Sequence, residues 1–220
     1  MKSDNYRLQF ISHYNDDYSY IDSVHIALKG GCRWVQLRMK DSDEVMFEKT
    51  AIVVQQMCKE YGATFIINDN VAIAKKIEAD GVHLGKNDMT ITEARKLFGE
   101  EFVIGSTVNS FEDILCILRS GITPDYFGCG PFRYTSTKKN LASILGYEGY
   151  LDINQKMLEH NIQIPIVAIG GIGKGDVMQL LKFGVSGVAL SSSILNARNP
   201  INEMQEIVNK LIKNKQTIST

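Results

Sequence analysis

Eight short apolar segments alternate with segments of helical periodicity along the chain, and this repeat constrains the fold more than any other feature. The apolar segments predict strands at residues 8–12, 34–38, 64–68, 81–85, 103–107, 125–130, 164–170 and 187–191. Strands joined by helical crossovers form parallel sheets, and eight such units are the number that closes a (β/α)8 barrel. We therefore predict an α/β protein with a single TIM-barrel domain over residues 1–220. An open, doubly wound sheet is the alternative.

Helical segments fill the intervals between the predicted strands. They are predicted at about residues 20–30, 42–61, 70–79, 90–99, 110–120, 143–160, 175–184 and 200–214. Thr90 and Glu93 form a capping-box pattern, and Ser110 with Asp113 forms a weaker one. Residues from about 213 onward are predicted to form a frayed tail.

Bulk properties limit the function classes. The net charge of −1 argues against nucleic-acid binding through bulk electrostatics. No run approaches the roughly 18–20 apolar residues of a membrane helix, and residues 1–7 have no apolar signal region, so we expect a soluble, cytoplasmic protein. Whether the chain forms a homo-oligomer is left open.

The four cysteines are widely spaced along the chain and contain no Cys-x-x-Cys pair. They are Cys32, Cys58, Cys116 and Cys129. This spacing fits reduced thiols better than a disulfide framework or a zinc site. Cys129 is expected to be a small buried hydrophobe rather than a nucleophile.

The second predicted strand carries two cations and an amide on one face. Side chains alternate along a strand, so Gln36, Arg38 and, if the strand extends that far, Lys40 share the face of Trp34. In a half-exposed sheet this would be an ordinary solvated face. In a barrel it leads to the C-terminal mouth, where chemistry is located.

Polar residues and glycines also lie at the ends of other predicted strands or just after them. They are Asn68 and Asp69, Asp88, Ser106, Thr107 and Asn109, Gly170, Gly171 and Gly173, and Ser191, Ser192 and Ser193. Asp69 and Asp88 follow adjacent strands, and two carboxylates with waters and a substrate phosphate are a usual Mg²⁺ site. Asp69 could instead cap a helix, whereas Thr90 already supplies the cap of the helix after Asp88.

Two further features indicate anion binding. Arg38, Lys40, Lys138 and Lys139 would pair with a di- or triphosphate-like anion at the mouth, although solvated surface charge is the alternative, strongest for Lys139. The glycine-rich segment 170–175 does not match the P-loop pattern, and it predicts a monophosphate cup or simply tight turns.

The histidines give little support to acid–base or metal chemistry. His83 lies inside a predicted strand and is expected to be a packed, hydrogen-bonded barrel residue rather than a catalyst. The four histidines do not suggest a metal cluster, and no Ser-His-Asp order stands out.

With these residues in place, the chain resembles the thiamine-phosphate synthase family over about residues 11–194. The matching motifs are VQLRMK at 35–40, IIND at 66–69, ADGVHLG at 79–85 with Asp88, GP at 130–131 with TSTKK at 135–139, and AIGGI at 168–172. Each motif is weak alone, and their joint order and spacing is specific.

The resemblance implies a TIM-barrel transferase of thiamine biosynthesis that uses Mg²⁺. It would join 4-amino-2-methyl-5-hydroxymethylpyrimidine pyrophosphate to 4-methyl-5-(2-hydroxyethyl)thiazole phosphate by a dissociative mechanism, giving thiamine phosphate and pyrophosphate. By resemblance, Gln36 contacts the pyrimidine and Asp69 and Asp88 bind Mg²⁺. The pyrophosphate ligands are Arg38, Lys40, Asn68 and Lys138, and the thiazole phosphate ligands are Thr135, Thr137, Gly171, Ser192 and Ser193.

The implied catalytic residues are Lys138, Arg38 and Thr107, and one departure from the family pattern bears on them. Family members usually have Gly-x-Ser-x-His after strand five, whereas this chain has Gly105, Thr107 and Asn109 at those places. Thr107 keeps the hydroxyl, but the histidine is absent.

Two alternatives to the synthase remain. A thiazole tautomerase of the same superfamily would need that histidine as its acid and base. A non-catalytic paralogue would bind thiazole phosphate or thiamine phosphate without turnover.

Overall fold

The structure is a computed structural model that describes residues 7–40, 42–134 and 143–218, with side chains to residue 213. Within these residues the strands are β1 Leu8–Ile11, β2 Trp34–Leu37, β3 Thr64–Asn68, β4 Gly81–Leu84, β5 Val103–Val108, β6 Tyr126–Cys129, β7 Ile166–Ile169 and β8 Gly187–Leu190. The helices are α1 Tyr20–Lys29, α2 Glu44–Glu60, α3 Val71–Lys76, α4 Ile91–Phe98, α5 Phe111–Leu118, α6 Gly146–Glu159, α7 Val177–Lys182, α8 Ser192–Leu195 and α9 Pro200–Ile218.

The strands form a closed parallel barrel in chain order. Closure is set by β1, which pairs with β2 on one side and with β8 on the other, so that Phe10 lies opposite both Val35 and Leu190. An open sheet has two edge strands, whereas here every strand pairs with two neighbours. The prediction of a (β/α)8 barrel is therefore confirmed, and the doubly wound alternative is wrong.

The two faces of each strand serve different layers. On β2, Val35 and Leu37 point outward and pack in the layer between barrel and helices. Trp34 points inward and packs with Tyr126 and other residues of the barrel interior. Gln36 shares this inner face and is 2% exposed. The alternation predicted for this strand therefore matches the structure.

Local capping signals set several helix starts. Thr90 and Ser110 form the predicted capping boxes with Glu93 and Asp113, because each side chain bonds the other residue's backbone N–H. Helix α8 was not predicted, since its four residues are too few to show a helical period. Helix α9 continues to Ile218, past the predicted end at 214, because residues 201–218 contain no Gly or Pro.

The cysteines behave as expected for thiols. All four are free; Cys129 is fully buried, and burial raises its pKa to about 12. A neutral, inaccessible thiol is not a nucleophile. Among the described residues, no helix has both the length and the apolar character needed to cross a membrane.

Candidate active site

Two carboxylates meet at the C-terminal ends of β3 and β4. Asp69 directly follows β3 with a φ of 62°, a left-handed conformation that is uncommon for residues other than glycine. Its N–H donates to the carbonyl of His83 at 2.9 Å, which fixes the residue against β4. Asn70, not Asp69, caps α3 by accepting from the N–H of Ile73. The capping alternative for Asp69 is therefore excluded, and its side chain pairs with Lys40 at 3.4 Å.

Asp88 lies in the loop after β4, beside Asp69. Its Oδ2 accepts from the N–H of Gly85 at 2.6 Å, while Thr90 caps α4. Burial raises the pKa of Asp88, and a hydrogen-bond contact with the Asp69 carboxylate raises it further. Two adjacent carboxylates are costly unless a proton or a cation lies between them.

The chemistry of this donor set suits a hard cation. Both carboxylates are only partly buried, which leaves coordination positions for water and a substrate phosphate, as Mg²⁺ requires. Over the described part of the chain, no group of three or more His, Cys, Asp or Glu side chains could hold a metal ion. A site made of two carboxylates and exchangeable ligands is the arrangement that Asp69 and Asp88 can offer.

The cations on β2 lie at the same mouth. The backbone of Arg38 is fixed by Ser12, whose hydroxyl accepts from the Arg38 N–H at 2.9 Å and donates to its carbonyl at 3.2 Å. Arg38 is half-buried and Lys40 is exposed. Lys40 lies beyond the end of β2 at Leu37, in the loop, and reaches Asp69.

A chain of hydrogen bonds crosses the barrel interior. The Gln36 amide donates to Gln9 at 3.3 Å, and the Gln9 amide donates to the Tyr126 hydroxyl at 3.2 Å. His83 contacts the Tyr126 hydroxyl through Nδ1 at 3.0 Å and the Thr107 hydroxyl through Nε2 at 3.0 Å. We call these five residues the polar column. His83 is thus the packed, hydrogen-bonded residue that was predicted, and it orients Thr107.

The residue that replaces the family histidine has a bracing role. The side-chain amide of Asn109 donates to the carbonyl of Gly130, at the start of the loop after β6. Its backbone N–H donates to Asp113 at 2.7 Å. An amide has no titratable proton to exchange, so position 109 joins two strand ends rather than transferring protons.

The predicted phosphate cup lies at the same end of the barrel. Gly170 and Gly171 follow β7 with φ values of 93° and 69°, which only glycine adopts readily. Ser192 and Ser193 follow β8, the neighbouring strand, and are partly exposed. Thr135, Thr137 and Lys138, which were also predicted to bind ligand, lie outside the described residues.

Residues near the site were also missed from the sequence. Gln9 shares the inner face of β1 with Ile11, and strand alternation could have identified it. His13 follows β1, and burial together with the nearby Arg38 guanidinium lowers its pKa. Arg133 pairs with Asp176 across two loops, a contact that no sequence spacing indicates.

The opposite end of the barrel holds a separate cavity of about 530 Å³, lined by residues that include Thr64, Asp80 and Val103 at the strand starts. Active sites of this fold lie at the C-terminal ends of the strands. The cavity is therefore not part of the candidate site.

Fold and site together define a class: a (β/α)8 barrel with cations, paired carboxylates and glycine turns gathered at its C-terminal mouth. The model of the thiamine monophosphate synthase family matches residues 8–194. The chain belongs to the thiamine monophosphate synthase family, and the resemblance drawn from its motifs is confirmed.

Individual relatives of the chain carry the same family name. The thiamine-phosphate synthase of Phocaeicola vulgatus is 52% identical over 209 residues, covering 95% of this chain and 100% of the relative. That of Bacteroides thetaiotaomicron is 50% identical over 202 residues, covering 92% and 96%. Thiamine-phosphate synthases are transferases, so the predicted enzyme class is confirmed at the level of the family.

Solved structures show the same barrel. The thiamine phosphate pyrophosphorylase from Pyrococcus furiosus superposes with a TM-score of 0.81 at 30% identity, covering 96% of this chain and 98% of that one. The phosphoribosyl anthranilate isomerase from Thermococcus kodakaraensis reaches a TM-score of 0.64 at 12% identity, which shows a shared fold alone.

Proposed function

We propose that this chain condenses pyrimidine pyrophosphate with thiazole phosphate to give thiamine phosphate and pyrophosphate. The bond between the pyrimidine methylene carbon and the pyrophosphate oxygen breaks first, and the electron pair leaves with pyrophosphate. The thiazole nitrogen then supplies the pair for the new carbon–nitrogen bond. No proton moves in the bond-forming step, so the site needs charge stabilisation rather than a general base.

The convergence of Lys40, Asp69 and Asp88 is the observation that carries this proposal. A cation 3.4 Å from one carboxylate, with a second carboxylate beside it, suits a bound metal and an anion better than a solvated surface. We assign Asp69 and Asp88 as the Mg²⁺ ligands. Mg²⁺, when bound, would neutralise charge on the pyrophosphate.

The residues of the chain divide the remaining work. Arg38, Lys40, Asn68 and Lys138 bind the pyrophosphate, and the cations among them stabilise the charge that builds on it as it leaves. Gln36 contacts the pyrimidine from the floor of the site, and its amide is held by Gln9. Thr107, oriented by His83, supplies a hydroxyl at the mouth. Thr135, Thr137, Gly171, Ser192 and Ser193 bind the thiazole phosphate.

The rival functions have less support. A tautomerase needs a proton-transferring group at position 109, and there the side-chain N–H of Asn109 donates a hydrogen bond to the Gly130 carbonyl instead. A non-catalytic sensor would not need the arrangement of Lys40, Asp69 and Asp88, which serves a leaving pyrophosphate. We also propose a cytoplasmic location, and the net charge of −1 argues against a nucleic-acid partner bound through bulk electrostatics.

The direct test is an initial-rate assay with both substrates and Mg²⁺, with the formation of thiamine phosphate followed by chromatography. Reactions that lack one substrate or contain a chelator serve as controls. We expect turnover only in the complete mixture. Tight binding of thiamine phosphate without turnover would identify the sensor instead.

A further inference from the structure

We propose that Arg133, Asp176 and Tyr147 are positioning residues that hold the glycine turn after β7 in the shape that binds a substrate phosphate. We call this group of three side chains the clamp. The inference rests on the proposed function, because it assigns thiazole phosphate as the ligand of the turn. It predicts that the clamp sets the affinity for this substrate and leaves that for pyrimidine pyrophosphate unchanged.

Asp176 is the centre of the clamp. Its two carboxylate oxygens accept from the two terminal guanidinium nitrogens of Arg133, at 2.6 and 2.7 Å. Oδ1 also accepts from the Tyr147 hydroxyl at 3.0 Å, and Oδ2 from the backbone N–H of Gly173 at 2.9 Å. Because the Asp176 carboxylate accepts four hydrogen bonds, its orientation is fixed. The position of Gly173 relative to Arg133 is therefore fixed as well.

The backbone of the loop after β6 lies directly against the turn. The N–H of Phe132 donates to the carbonyl of Ile169 at 2.9 Å, and that of Arg133 donates to the carbonyl of Gly170 at 3.0 Å. A Cβ added at Gly171 would lie 2.9 Å from the Cβ of Arg133. The glycine therefore allows this contact, and the loop supports the turn from one side.

The clamp also joins both described segments that flank residues 135–142. Arg133 precedes that stretch and Tyr147 follows it, and both bond Asp176. The ring of Tyr147 packs edge-on against Phe132 with centroids 4.9 Å apart. One carboxylate thus connects three segments of chain at the mouth of the barrel.

Global stability alone does not explain the clamp. Water and salt screen the Arg133 end of the ion pair, because this side chain is 51% exposed, whereas Asp176 is buried and its bidentate contact fixes its orientation. The other charge of the turn, Lys174, is directed to α9, where it pairs with Glu203 at 2.6 Å and Glu206 at 2.9 Å. Apart from the N–H of Gly173, which donates to Asp176, the turn offers a phosphate its backbone N–H groups, and the clamp holds the backbone that carries them.

The test compares Asp176→Asn and Arg133→Gln with wild type, with KM measured separately for the two substrates. We expect the KM for thiazole phosphate to rise about tenfold, the effect of losing one charge-assisted hydrogen bond. The KM for pyrimidine pyrophosphate should stay within about twofold of wild type. Tyr147→Phe, which removes a single hydrogen bond, should give a smaller rise.

Asp125→Asn is the matched control. Asp125 accepts from Arg95 at 2.8 Å and from the backbone N–H of Ile104 at 2.8 Å, which is the same chemistry at the other end of the barrel. It should lower the melting temperature without changing either KM. An equal rise in both KM values for the clamp variants would overturn the proposal, as would an unchanged KM for thiazole phosphate.

A binding measurement separates this inference from the proposed function. Calorimetric titration of each protein with thiazole phosphate alone needs no turnover. If wild type makes no thiamine phosphate, the proposed function fails, and weaker binding of thiazole phosphate to the clamp variants still supports the clamp. If Asp176→Asn does not fold, the half-exposed Arg133→Gln decides the matter.

Discussion

Replacing Gly105 by alanine tests whether the polar column holds Thr107 in place. A Cβ at this position would lie 2.2 Å from Cζ and 2.4 Å from the hydroxyl of Tyr126, and 2.5 Å from Nδ1 of His83. Atoms do not pack so closely, so the two rings must separate and their 3.0 Å hydrogen bond must break. His83 then no longer fixes the hydroxyl of Thr107.

The cost follows from the burial of both rings, since Tyr126 is fully buried and His83 is 7% exposed. Overpacking a rigid interior costs about 1–3 kcal/mol, and the lost hydrogen bond adds about 1 kcal/mol. We therefore expect Gly105→Ala to lower the free energy of unfolding by about 2–4 kcal/mol. For a domain of this size, that shifts the melting temperature by about 5–15 °C.

Urea unfolding followed by circular dichroism measures the change in stability, and the two-substrate assay measures kcat, which should fall. Gly175→Ala is the matched control, because a Cβ there meets no atom within 4 Å. It should change the free energy of unfolding by less than about 1 kcal/mol. If the free energy of unfolding of Gly105→Ala lies within about 0.5 kcal/mol of the wild-type value, the polar column does not hold Thr107 in place as described.

The remaining predictions concern the two carboxylates assigned to Mg²⁺, a lysine and the thiols. Asp69→Asn and Asp88→Asn should each raise the Mg²⁺ concentration needed for half-maximal rate, and an unchanged Mg²⁺ dependence in both would leave the carboxylates a structural role only. Lys138→Ala should lower kcat more than it raises the KM for thiazole phosphate, because Lys138 acts on the leaving pyrophosphate; the reverse pattern contradicts this role. In native protein at pH 8, only the exposed Cys116 should react rapidly with a thiol reagent. Burial raises the pKa values of the other three thiols to about 11 or 12, so these thiols stay protonated. Rapid labelling of a second cysteine, detected by mass spectrometry, would show that this burial is incomplete.

The barrel could be predicted from the sequence because each strand is a short apolar run with a clear boundary. Strand β4, for example, starts at Gly81 and ends at Leu84, one residue before the glycine that was predicted to end it. The alternation of side chains along β2 also correctly placed Trp34 and Val35 on opposite faces of the strand. Strand boundaries and side-chain alternation depend on residues that are close in sequence, and hydrophobic periodicity reveals them directly.

The long-range polar contacts could not be predicted in this way. Gln9 and Tyr126 are 117 positions apart, and Arg133 and Asp176 are 43 apart. Which side chains meet across a barrel depends on strand register and loop path, and neither leaves a signal in local spacing. Asp69 could be assigned to the site from the sequence. That Asp69 does not cap α3 is shown only by the structure, in which Asn70 is the cap.

We propose that this chain exchanges one carbon–oxygen bond for one carbon–nitrogen bond. A single reaction with both substrates and Mg²⁺ tests it most directly, with phosphorus NMR following the separate signals of pyrimidine pyrophosphate and free pyrophosphate, and chromatography of the same sample measuring thiazole phosphate and thiamine phosphate. We predict that pyrophosphate and thiamine phosphate accumulate in equal amounts as both substrates disappear. Pyrophosphate release without thiamine phosphate, or no change in either substrate, would contradict the claim.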